Sequence, residues 1–479
     1  MRPLAPLAAL LLLAPHPASQ AERAPNIVLI MVDDLGWADL GCYGGSAVPT
    51  PQLDRLAAQG MRFTDAYSGC TVCAPARSTL LTGTHMGHTS MRLNTGGVPI
   101  LDEDVTVAEV LREAGYRTGG FGKWGLGELG TAGVPERQGF DEWYGYYHQI
   151  HAHYHLPDYL IRNGAKEPLP GNAGFYELHP HGREGDGAFP PSEGELERQY
   201  APELIVEETL RFLRESARSE QPFFCYAAWT PPHGEYKVPA DDPGWLEYGA
   251  REDWPVRARV VASFTARIDR DVGRVLALLD ELDIADETLV LYTHDHGADL
   301  DYDGALDSCG PLRGHKRDLY EGGLRVPLIA RWPGRIAPGS VSDLATYFPD
   351  LLPTLAELAG CRAPAGIDGL SIAPTLLGSG EQALHAYLYW EWARYDWGRR
   401  TLVEGGLMQA LRSGRWKAVR TRADAALELY DLHSDLGEQN DLAQQQPERV
   451  AHFEALLDAA RTPMRPQAEP ERVEGRPFR

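Results

Sequence analysis

Apolar runs alternate with helical patterns over the first three quarters of the chain. Residues 26–32 form a continuous apolar run rich in β-branched side chains, which is typical of a strand buried on both faces. Further strand patterns lie at residues 118–121, 223–229, 288–293 and 326–332. Helical patterns lie at residues 52–59, 105–114, 203–217 and 258–282. This alternation predicts an α/β domain with a large, mixed but mainly parallel sheet flanked by helices.

The pattern changes from about residue 365. Short strand patterns lie at residues 386–392, 409–412, 416–420 and 427–432, and a helical pattern follows at 448–460. They predict a smaller C-terminal subdomain over residues 365–461, an antiparallel sheet with one helix packed on it. The domain before it would then cover residues 22–364. Residues 462–479 are rich in Pro, Arg and Glu, and we expect a loose tail there.

The first 21 residues have the pattern of a signal peptide. Arg2 supplies the positive end, residues 4–14 the apolar core, and Ser19-Gln20-Ala21 a small-x-small cleavage site. The apolar core is too short to span a bilayer, and no later stretch reaches 18 apolar residues. We therefore expect an exported protein, periplasmic or extracellular, with no transmembrane segment in the mature chain.

Composition and charge restrict the partners. With 43% hydrophobic and 24% charged residues, the 479-residue chain has the composition of a soluble globular protein. Its formal net charge of −23 argues against a nucleic-acid partner, which requires a basic surface. The same charge would repel an anionic substrate. Such a substrate would need a local cluster of lysine, arginine and metal.

Two pairs of metal-ligating side chains follow predicted buried strands. Asp33-Asp34 comes after the first strand, and Asp295-His296 comes after the strand at 288–293. Ligands in parallel sheets gather at the carboxyl ends of strands, so we expect both pairs at one edge. Adjacent carboxylates repel unless a cation lies beside them, although a solvated strand end is the simpler alternative. A carboxylate-rich set favours calcium or magnesium, whereas the imidazole leaves the metal's identity more open.

A reactive cysteine stands at the start of a short helical pattern. The segment Cys73-Ala74-Pro75-Ala76-Arg77 is followed closely by Leu81-Thr82-Gly83. Taken alone, Cys73 fits a buried structural thiol, and with Cys70 it also fits a redox pair or half of a zinc site. The other cysteines are scattered singly, so a second pair of zinc ligands is missing from the sequence.

Taken together, these motifs resemble those of the type I sulfatases of the alkaline phosphatase superfamily. The matching segments are the Cys-x-Pro-x-Arg motif at 73–77, Gly122-Lys123-Trp124, Thr230-Pro231-Pro232-His233, and residues 310–327 with Lys316. The resemblance covers about residues 25–440. It implies an alkaline-phosphatase-like fold and an arylsulfatase-like enzyme, a sulfuric ester hydrolase acting on a sulfated carbohydrate or aryl sulfate.

The resemblance also implies a cofactor and a set of roles. A formylglycine-generating maturation enzyme would oxidise Cys73 to formylglycine, which is hydrated to a geminal diol. One divalent cation, calcium in the family, would be bound by Asp33, Asp34, residue 73, Asp295 and His296. The implied catalytic residues are Cys73, Arg77, Lys123, His233 and Lys316. Arg77 would hold the formylglycine. Lys123, His233 and Lys316 would contact the sulfate oxygens or the leaving group.

One position departs from the family pattern. The family has Gly-Lys-Trp-His-Leu-Gly, and this chain has Gly125 in the place of the histidine, which helps to expel sulfate. His151 or His153 could substitute, because their alternation puts both on one face if that segment is extended. Alternatively, the histidine-rich loop binds substrate only, or an adventitious metal. Further candidates for substrate contact are His88, Arg92 and His315.

Two other functions remain open on the sequence alone. A phosphoester or phosphonate monoester hydrolase of the same superfamily could use the same residues, since phosphoryl and sulfuryl groups have similar shapes. A non-catalytic protein that binds sulfated glycans is the second, and Gly125 is its one hint. Residues 143–159 are rich in Tyr and His, which could stack on a sugar ring or simply pack the loop.

Overall fold

A ten-stranded sheet forms the centre of the protein. The computed structural model describes residues 23–465, except for residues 97, 176–185, 194–195, 397–398 and 400. The strand order is β15-β2-β14-β13-β1-β11-β4-β5-β6-β7, and its five middle strands, β13 to β5, run parallel. These strands are β1 (Asn26–Asp33), β2 (Met61–Phe63), β4 (Arg117–Lys123), β5 (Glu142–Tyr146), β6 (Tyr159–Arg162), β7 (Ala165–Pro168), β11 (Phe223–Pro232), β13 (Thr288–His294), β14 (Leu328–Arg331) and β15 (Ser340–Ser342).

Helices cover both faces of this sheet. The helices of the described residues are α1 (Pro51–Ala58), α2 (Cys73–Thr82), α3 (Val107–Glu113), α4 (Ala201–Ser216), α5 (Pro243–Tyr248), α6 (Val256–Glu281), α7 (Glu321–Leu324), α8 (Leu351–Leu358), α9 (Ala373–Leu377) and α10 (Pro447–Ala459), the last of which packs on a second, smaller sheet. Short strands pair outside it: β3 (Ala66–Tyr67) with β16 (Thr346–Tyr347), β8 (Gly187–Phe189) with β12 (Lys237–Pro239), and β9 (Ser192–Glu193) with β10 (Leu196–Glu197).

The first strand contributes to two separate cores. All eight residues of β1 are buried. Because successive side chains of a strand point to opposite faces, Ile27, Leu29 and Met31 join the core that includes helices α2, α3 and α8. Val28 and Ile30 join the core formed with α1, α4 and α6. Burial on both faces explains why the sequence of this strand is apolar throughout rather than alternating.

A second sheet follows near the C-terminus. Its four antiparallel strands are β17 (Leu388–Asp396), β18 (Thr401–Ser413), β19 (Trp416–Arg420) and β20 (Glu428–Asp431). Phe453 and Leu457 of α10 are buried in the same core as Leu411 of β18 and Ala418 of β19. The predicted fold class is therefore confirmed: a large, mainly parallel sheet flanked by helices, with a small antiparallel sheet and helix at the C-terminal end.

Buried ion pairs connect the second sheet to the rest of the protein. Lys417 of β19 lies with its Nζ 2.8 Å from a carboxylate oxygen of Glu321, at the start of α7. The same Nζ is 2.9 Å from Glu438, and Arg325 donates to Glu321 at 2.7 Å. All these side chains are at least nine-tenths buried. Each charge is thus matched by an opposite one, as burial requires.

Several predicted elements have different bounds. One prediction and most of another concern residues outside the described part of the chain. Strand β18 is much longer than predicted, and β14 is shorter. The signal-peptide prediction for residues 1–21 lies wholly outside the described residues, and so does most of the predicted tail. The beginning of that tail is not loose: the Thr462 amide donates to Gly87 O at 3.0 Å, and Arg465 forms an ion pair with Asp104. Among the described residues, no helix is long and apolar enough to cross a membrane.

Candidate active site

The two predicted pairs of metal-ligating residues meet at one edge of the sheet. Asp33 is the last residue of β1, and Asp295-His296 directly follow β13, its parallel neighbour. Asp34 has a left-handed backbone (φ 69°), which is uncommon outside glycine. Its amide donates to the carboxylate of Asp295 at 3.3 Å. The unusual backbone conformation of Asp34 therefore allows its amide to contact Asp295, which brings Asp295-His296 next to Asp33-Asp34.

This convergence forms a cluster suited to a metal ion. Ligand atoms of Asp33, Asp34, Cys73 and His296 all lie within 4.8 Å of one another, and all four residues are buried. The Nδ1 of His296 is 2.9 Å from Gly297 O, which can only accept, so Nδ1 carries the proton. Nε2 faces the carboxylates of Asp34 and Asp295, each 3.5 Å away.

Carboxylate oxygens held this close together repel one another unless a cation lies among them. Orientation of a ligating imidazole by a carbonyl on its other nitrogen is also usual at metal sites. Three carboxylates, one imidazole and a position for residue 73 therefore fit a divalent cation. The oxygen-rich set suits calcium or magnesium.

Cys73 opens helix α2 and points into this cluster. Its Sγ lies 3.3 Å from Nε2 of His296 and 3.6 Å from a carboxylate oxygen of Asp33. The thiol is 1% exposed, and burial, followed by the charge of Asp33, raises its pKa. Arg77, one turn further along α2, donates to Asp33 at 2.9 Å and to Lys123 O at 2.7 Å. The helix thus delivers the cysteine and the arginine to the same pair of carboxylates.

Two buried lysines approach the cluster from different segments. Lys123, the last residue of β4, places Nζ 2.6 Å from Asp33. Lys316, in the segment before α7, places Nζ 2.5 Å from Asp34. Burial alone would raise the pKa of Asp33. Its interactions with His233, Lys123 and Arg77, in that order, outweigh burial and hold that pKa well below its usual value.

His233 completes the predicted catalytic set. It follows β11 directly, is 5% exposed, and lies within electrostatic range of Asp33, Lys123 and Lys316. Burial lowers its pKa well below the usual value. Its Nδ1 is buried and has no hydrogen-bond partner among the described residues. The ring is therefore available as a neutral proton carrier or as a contact for a bound molecule.

The space in which a side chain of residue 125 would lie is not filled by any described residue, and Gln149 borders it. Gly125 has φ +78°, and a Cβ built there would meet only the side chain of Gln149, at 3.9 Å, among the described residues. Gln149 is 5% exposed, and its Oε1 has no hydrogen-bond partner among those residues. The sequence analysis did not identify Gln149. The pairing of β4 with β5, which puts Lys123 opposite Tyr146, brings it there.

Of the two histidines proposed to replace the missing one, the structure brings one to the site. The segment is not extended, since His151–His153 forms a 3₁₀ turn, so the two side chains do not share a face. His151 is buried against Tyr146 and Tyr159, and burial lowers its pKa to about 3. The His153 ring lies against the His233 ring, with centroids 4.4 Å apart.

Two of the other predicted substrate contacts, Arg92 and His88, are engaged elsewhere. Arg92 is 4% exposed, and its guanidinium donates to Thr89 O at 3.0 Å and to Thr462 O at 2.8 Å. The Nδ1 of His88 lies 2.8 Å from Asp368, in a group away from the metal cluster. These positions do not favour a substrate role. His315, 45% exposed and next to Lys316, remains a candidate.

The aromatic residues of the loop mostly pack the protein. Trp143, Tyr144, Tyr146 and Tyr147 are at most 2% exposed. They are therefore unable to stack on a sugar ring, and of the two interpretations of this segment the structure supports packing for these four residues.

Known proteins resemble this chain over most of its length. A family profile described as "Sulfatase" matches residues 25–361, and one described as "N-sulphoglucosamine sulphohydrolase, C-terminal" matches residues 314–460. Human arylsulfatase A is 35% identical over 468 residues, covering 90% of this chain and 86% of the relative. N-acetylgalactosamine-6-sulfatase of Canis lupus familiaris is 34% identical, covering 75% and 67%. The crystal structure of Ps i-CgsB in complex with k-i-k-neocarrahexaose superposes with a TM-score of 0.76 at 25% identity, covering 91% and 92%.

Proposed function

Because this chain belongs to the sulfatase family, a class of enzymes that hydrolyse sulfate esters, we propose that it acts through a formylglycine made from Cys73. One observation carries this proposal. Cys73 Sγ occupies the point where the metal-ligand cluster, Arg77 and the two lysines converge. The sulfur stands where an oxygen of the modified residue would lie. Hydrated formylglycine supplies two hydroxyls on one carbon, one to attack sulfur and one whose deprotonation releases sulfate.

The proposed metal site consists of Asp33, Asp34, Asp295 and His296 together with residue 73. A divalent cation bound there would lower the pKa of a hydroxyl at position 73 and neutralise negative charge on the sulfate. Calcium is the ion we propose, on the basis of the oxygen-rich ligands.

The cationic side chains would bind and polarise the sulfate group. Lys123 and Lys316 each lie next to one carboxylate of the cluster, so both ammonium groups border the same small volume. Charge that develops on the sulfuryl oxygens would be stabilised by these fixed cations, usually the largest contribution to such catalysis. Arg77, which is wholly buried, would hold residue 73 and Asp33 at fixed positions relative to each other.

We assign proton transfer at the leaving oxygen to His233. Its ring is buried, neutral and electrostatically close to both lysines, so it could accept the proton released when a hydroxyl of residue 73 attacks and pass it to the departing alcohol. His153 would orient this ring through their edge contact. Gln149, which faces Gly125, would accept a hydrogen bond from a hydroxyl of the modified residue 73. Its amide would not remove the proton of that hydroxyl.

We propose a sulfated carbohydrate as the substrate. N-acetylgalactosamine-6-sulfatase is among the relatives, and Ps i-CgsB was crystallised with a neocarrahexaose. Export through the signal peptide and modification by a formylglycine-generating enzyme complete the proposal. Amino-terminal sequencing of the secreted protein would test cleavage after residue 21.

Sulfate release from sulfated saccharides and an aryl sulfate tests the function. The enzyme would be produced together with a formylglycine-generating enzyme, and conversion of Cys73 would be measured by mass spectrometry. We expect release by the converted enzyme and none by Cys73→Ala. Absence of release from fully converted enzyme, together with hydrolysis of a phosphonate monoester, would replace this proposal with the phosphohydrolase one.

A further inference from the structure

Arg317, directly after Lys316, has a strained backbone. Its φ of 76° lies in the left-handed region, which an arginine rarely adopts. Its amide donates to Thr71 O at 3.1 Å, two residues before Cys73. The strained turn is therefore fixed to the segment that carries the proposed nucleophile. Strain of this kind concentrates at functional sites, where the surrounding structure maintains it.

The side chain of Arg317 lies at the accessible side of the site. It is 54% exposed, and its Nη1 donates to Asp299 at 2.8 Å. The same Asp299 oxygen lies 3.8 Å from Nζ of Lys316, so the aspartate holds the guanidinium and the ammonium side by side. Arg317 also interacts electrostatically with Asp34 and Cys73, which puts it within electrostatic range of the reacting group.

Most of this guanidinium is unused. Among the residues that the structure describes, its one hydrogen-bond partner is Asp299, through Nη1. An exposed ion pair stabilises a protein little, so the pair with Asp299 does not account for keeping an arginine at a position that suits glycine. A guanidinium with free donors in a planar fork is, by contrast, well suited to a carboxylate or a sulfate.

On the basis of the proposed sulfatase function, we propose that Arg317 binds a second oxyanion of the substrate, next to the sulfate that is cleaved. The preferred substrate would then be a polyanionic saccharide with a carboxylate or a further sulfate near the scissile ester. A chain with a net charge of −23 repels such a substrate, and a cation beside the site compensates locally.

The test compares kcat/KM for three substrates: an aryl sulfate, a disulfated saccharide and a monosulfated saccharide that contains a uronate. We expect Arg317→Gly to lower the preference for a dianionic saccharide over the aryl sulfate by at least about tenfold. The same change should raise the melting temperature slightly, by about 1–2 °C, because glycine is unstrained at this φ. A purely structural arginine would lower it instead.

Arg251 is the matched control. It is 46% exposed and pairs with Asp253 at 3.0 Å, and Arg251→Gly should leave the preference unchanged. Arg317→Lys keeps the charge without the fork and should give an intermediate preference. A loss confined to the disulfated saccharide identifies a sulfate as the second group, and a loss confined to the uronate identifies a carboxylate.

Calorimetry on Cys73→Ala protein tests the contact without turnover. Arg317→Gly in that background should weaken binding of the dianionic saccharides by about tenfold. An unchanged affinity and an unchanged substrate preference would overturn the role of Arg317 even if sulfate is released. Weakened binding in an enzyme that releases no sulfate would instead support Arg317 and refute the proposed function.

Discussion

The ammonium of Lys123 lies 2.6 Å from a carboxylate oxygen of Asp33, and both side chains are wholly inaccessible to solvent. A buried pair of this kind is retained at the cost of desolvating two charges. Arg77 shares the same carboxylate oxygen at 2.9 Å, so Asp33 is held by two cations. This arrangement leaves the lysine partly free to interact with a bound anion without exposing Asp33.

Lys123→Met should therefore affect catalysis more than stability. We expect kcat/KM for sulfate release to fall by about 10²–10³-fold, the usual effect of removing one group that stabilises developing charge. Leaving a buried charge without a partner usually costs about 3–5 kcal/mol of unfolding free energy. The loss here should be smaller, because Arg77 still pairs with Asp33. Steady-state kinetics and chemical denaturation measure the two effects.

Lys417→Met is the matched control for this change. Lys417 is also wholly buried, 2.8 Å from Glu321, but it lies in the second sheet. Arg325 still pairs with Glu321, but the change removes the cation that lies 2.9 Å from Glu438, so stability should fall by about 3–5 kcal/mol while kcat/KM of the folded enzyme is unchanged. An equal loss of kcat/KM in both variants would show that Lys123 acts through stability alone.

Removal of divalent cations should destabilise the protein as well as inactivate it. Asp34, Asp295 and His296 direct their ligand atoms at one another only in the folded state, so the proposed cation would bind the folded state and not the unfolded chain. Calcium at about 100 times its Kd should add about 2.7 kcal/mol to the unfolding free energy. We expect the melting temperature to fall with chelator and to recover with calcium.

Asp34→Asn removes one charge from this ligand set and should abolish most of the calcium-dependent shift. Zinc and manganese, measured in parallel, report the influence of the His296 imidazole. A calcium shift in Asp34→Asn as large as in the wild type would locate the binding site elsewhere.

The position of these ligands follows from the sequence, and several other features do not. An apolar run followed by Asp33-Asp34 predicts a buried strand with acidic residues at its carboxyl end, and parallel pairing brings Asp295-His296 to the same edge. Such predictions depend on local periodicity. Arg92 is different, because it donates to Thr462 O, 370 residues away in the chain, and no local pattern reports this contact.

The histidine-rich loop shows a second limit. Alternation of His151 and His153 suggests one shared face, but the backbone turns there and separates the two side chains. Gln149 was missed because nothing in its own neighbourhood marks it. Its proposed role depends on the lack of a side chain at Gly125 and on the pairing of β4 with β5, which brings the segments that follow the two strands together.

Stability should decrease as pH rises from about 4.5 to about 7, owing to Glu438. Burial raises the pKa of this carboxyl to about 7, despite the attraction of Lys417 and aided by repulsion from Glu321. The folded state therefore binds the proton more tightly than the unfolded chain, whose glutamate has a pKa near 4.5. The contribution is complete below pH 4.5 and is lost as pH approaches 7, on the order of 3 kcal/mol in total.

Glu438→Gln should flatten this part of the stability curve, because an amide does not titrate. The contribution of Glu321 to stability has the opposite pH dependence, because the pKa of this carboxyl is lowered in the folded state. That contribution is lost only below pH 4.5, so it does not change the slope between pH 4.5 and pH 7. Urea denaturation at half-unit steps of pH measures the slope. A slope in Glu438→Gln identical to that of the wild type would contradict the assignment.

Gln149 should contribute to turnover through the space at Gly125. Its buried Oε1 has no hydrogen-bond partner among the described residues, so a hydroxyl of the reacting group would provide one. We expect Gln149→Ala to lower kcat/KM by about tenfold, the effect of one hydrogen bond to a polarised group, with a change in unfolding free energy below about 1 kcal/mol. Kinetics and denaturation on the same preparation separate the two.

The double variant Gly125→His, Gln149→Ala tests whether the two positions share one role. Removal of the glutamine leaves room above Gly125, where a Cβ otherwise meets only Gln149 among the described residues. The histidine would be strained at φ +78°, at a cost of about 1 kcal/mol or more, and yet it should recover part of the lost kcat and add a limb to the pH profile near the pKa of imidazole. Gly125→Ala, Gln149→Ala has the same strain without the ring and should recover nothing. Equal activity of the two double variants would mean that position 125 does not contact the reacting group.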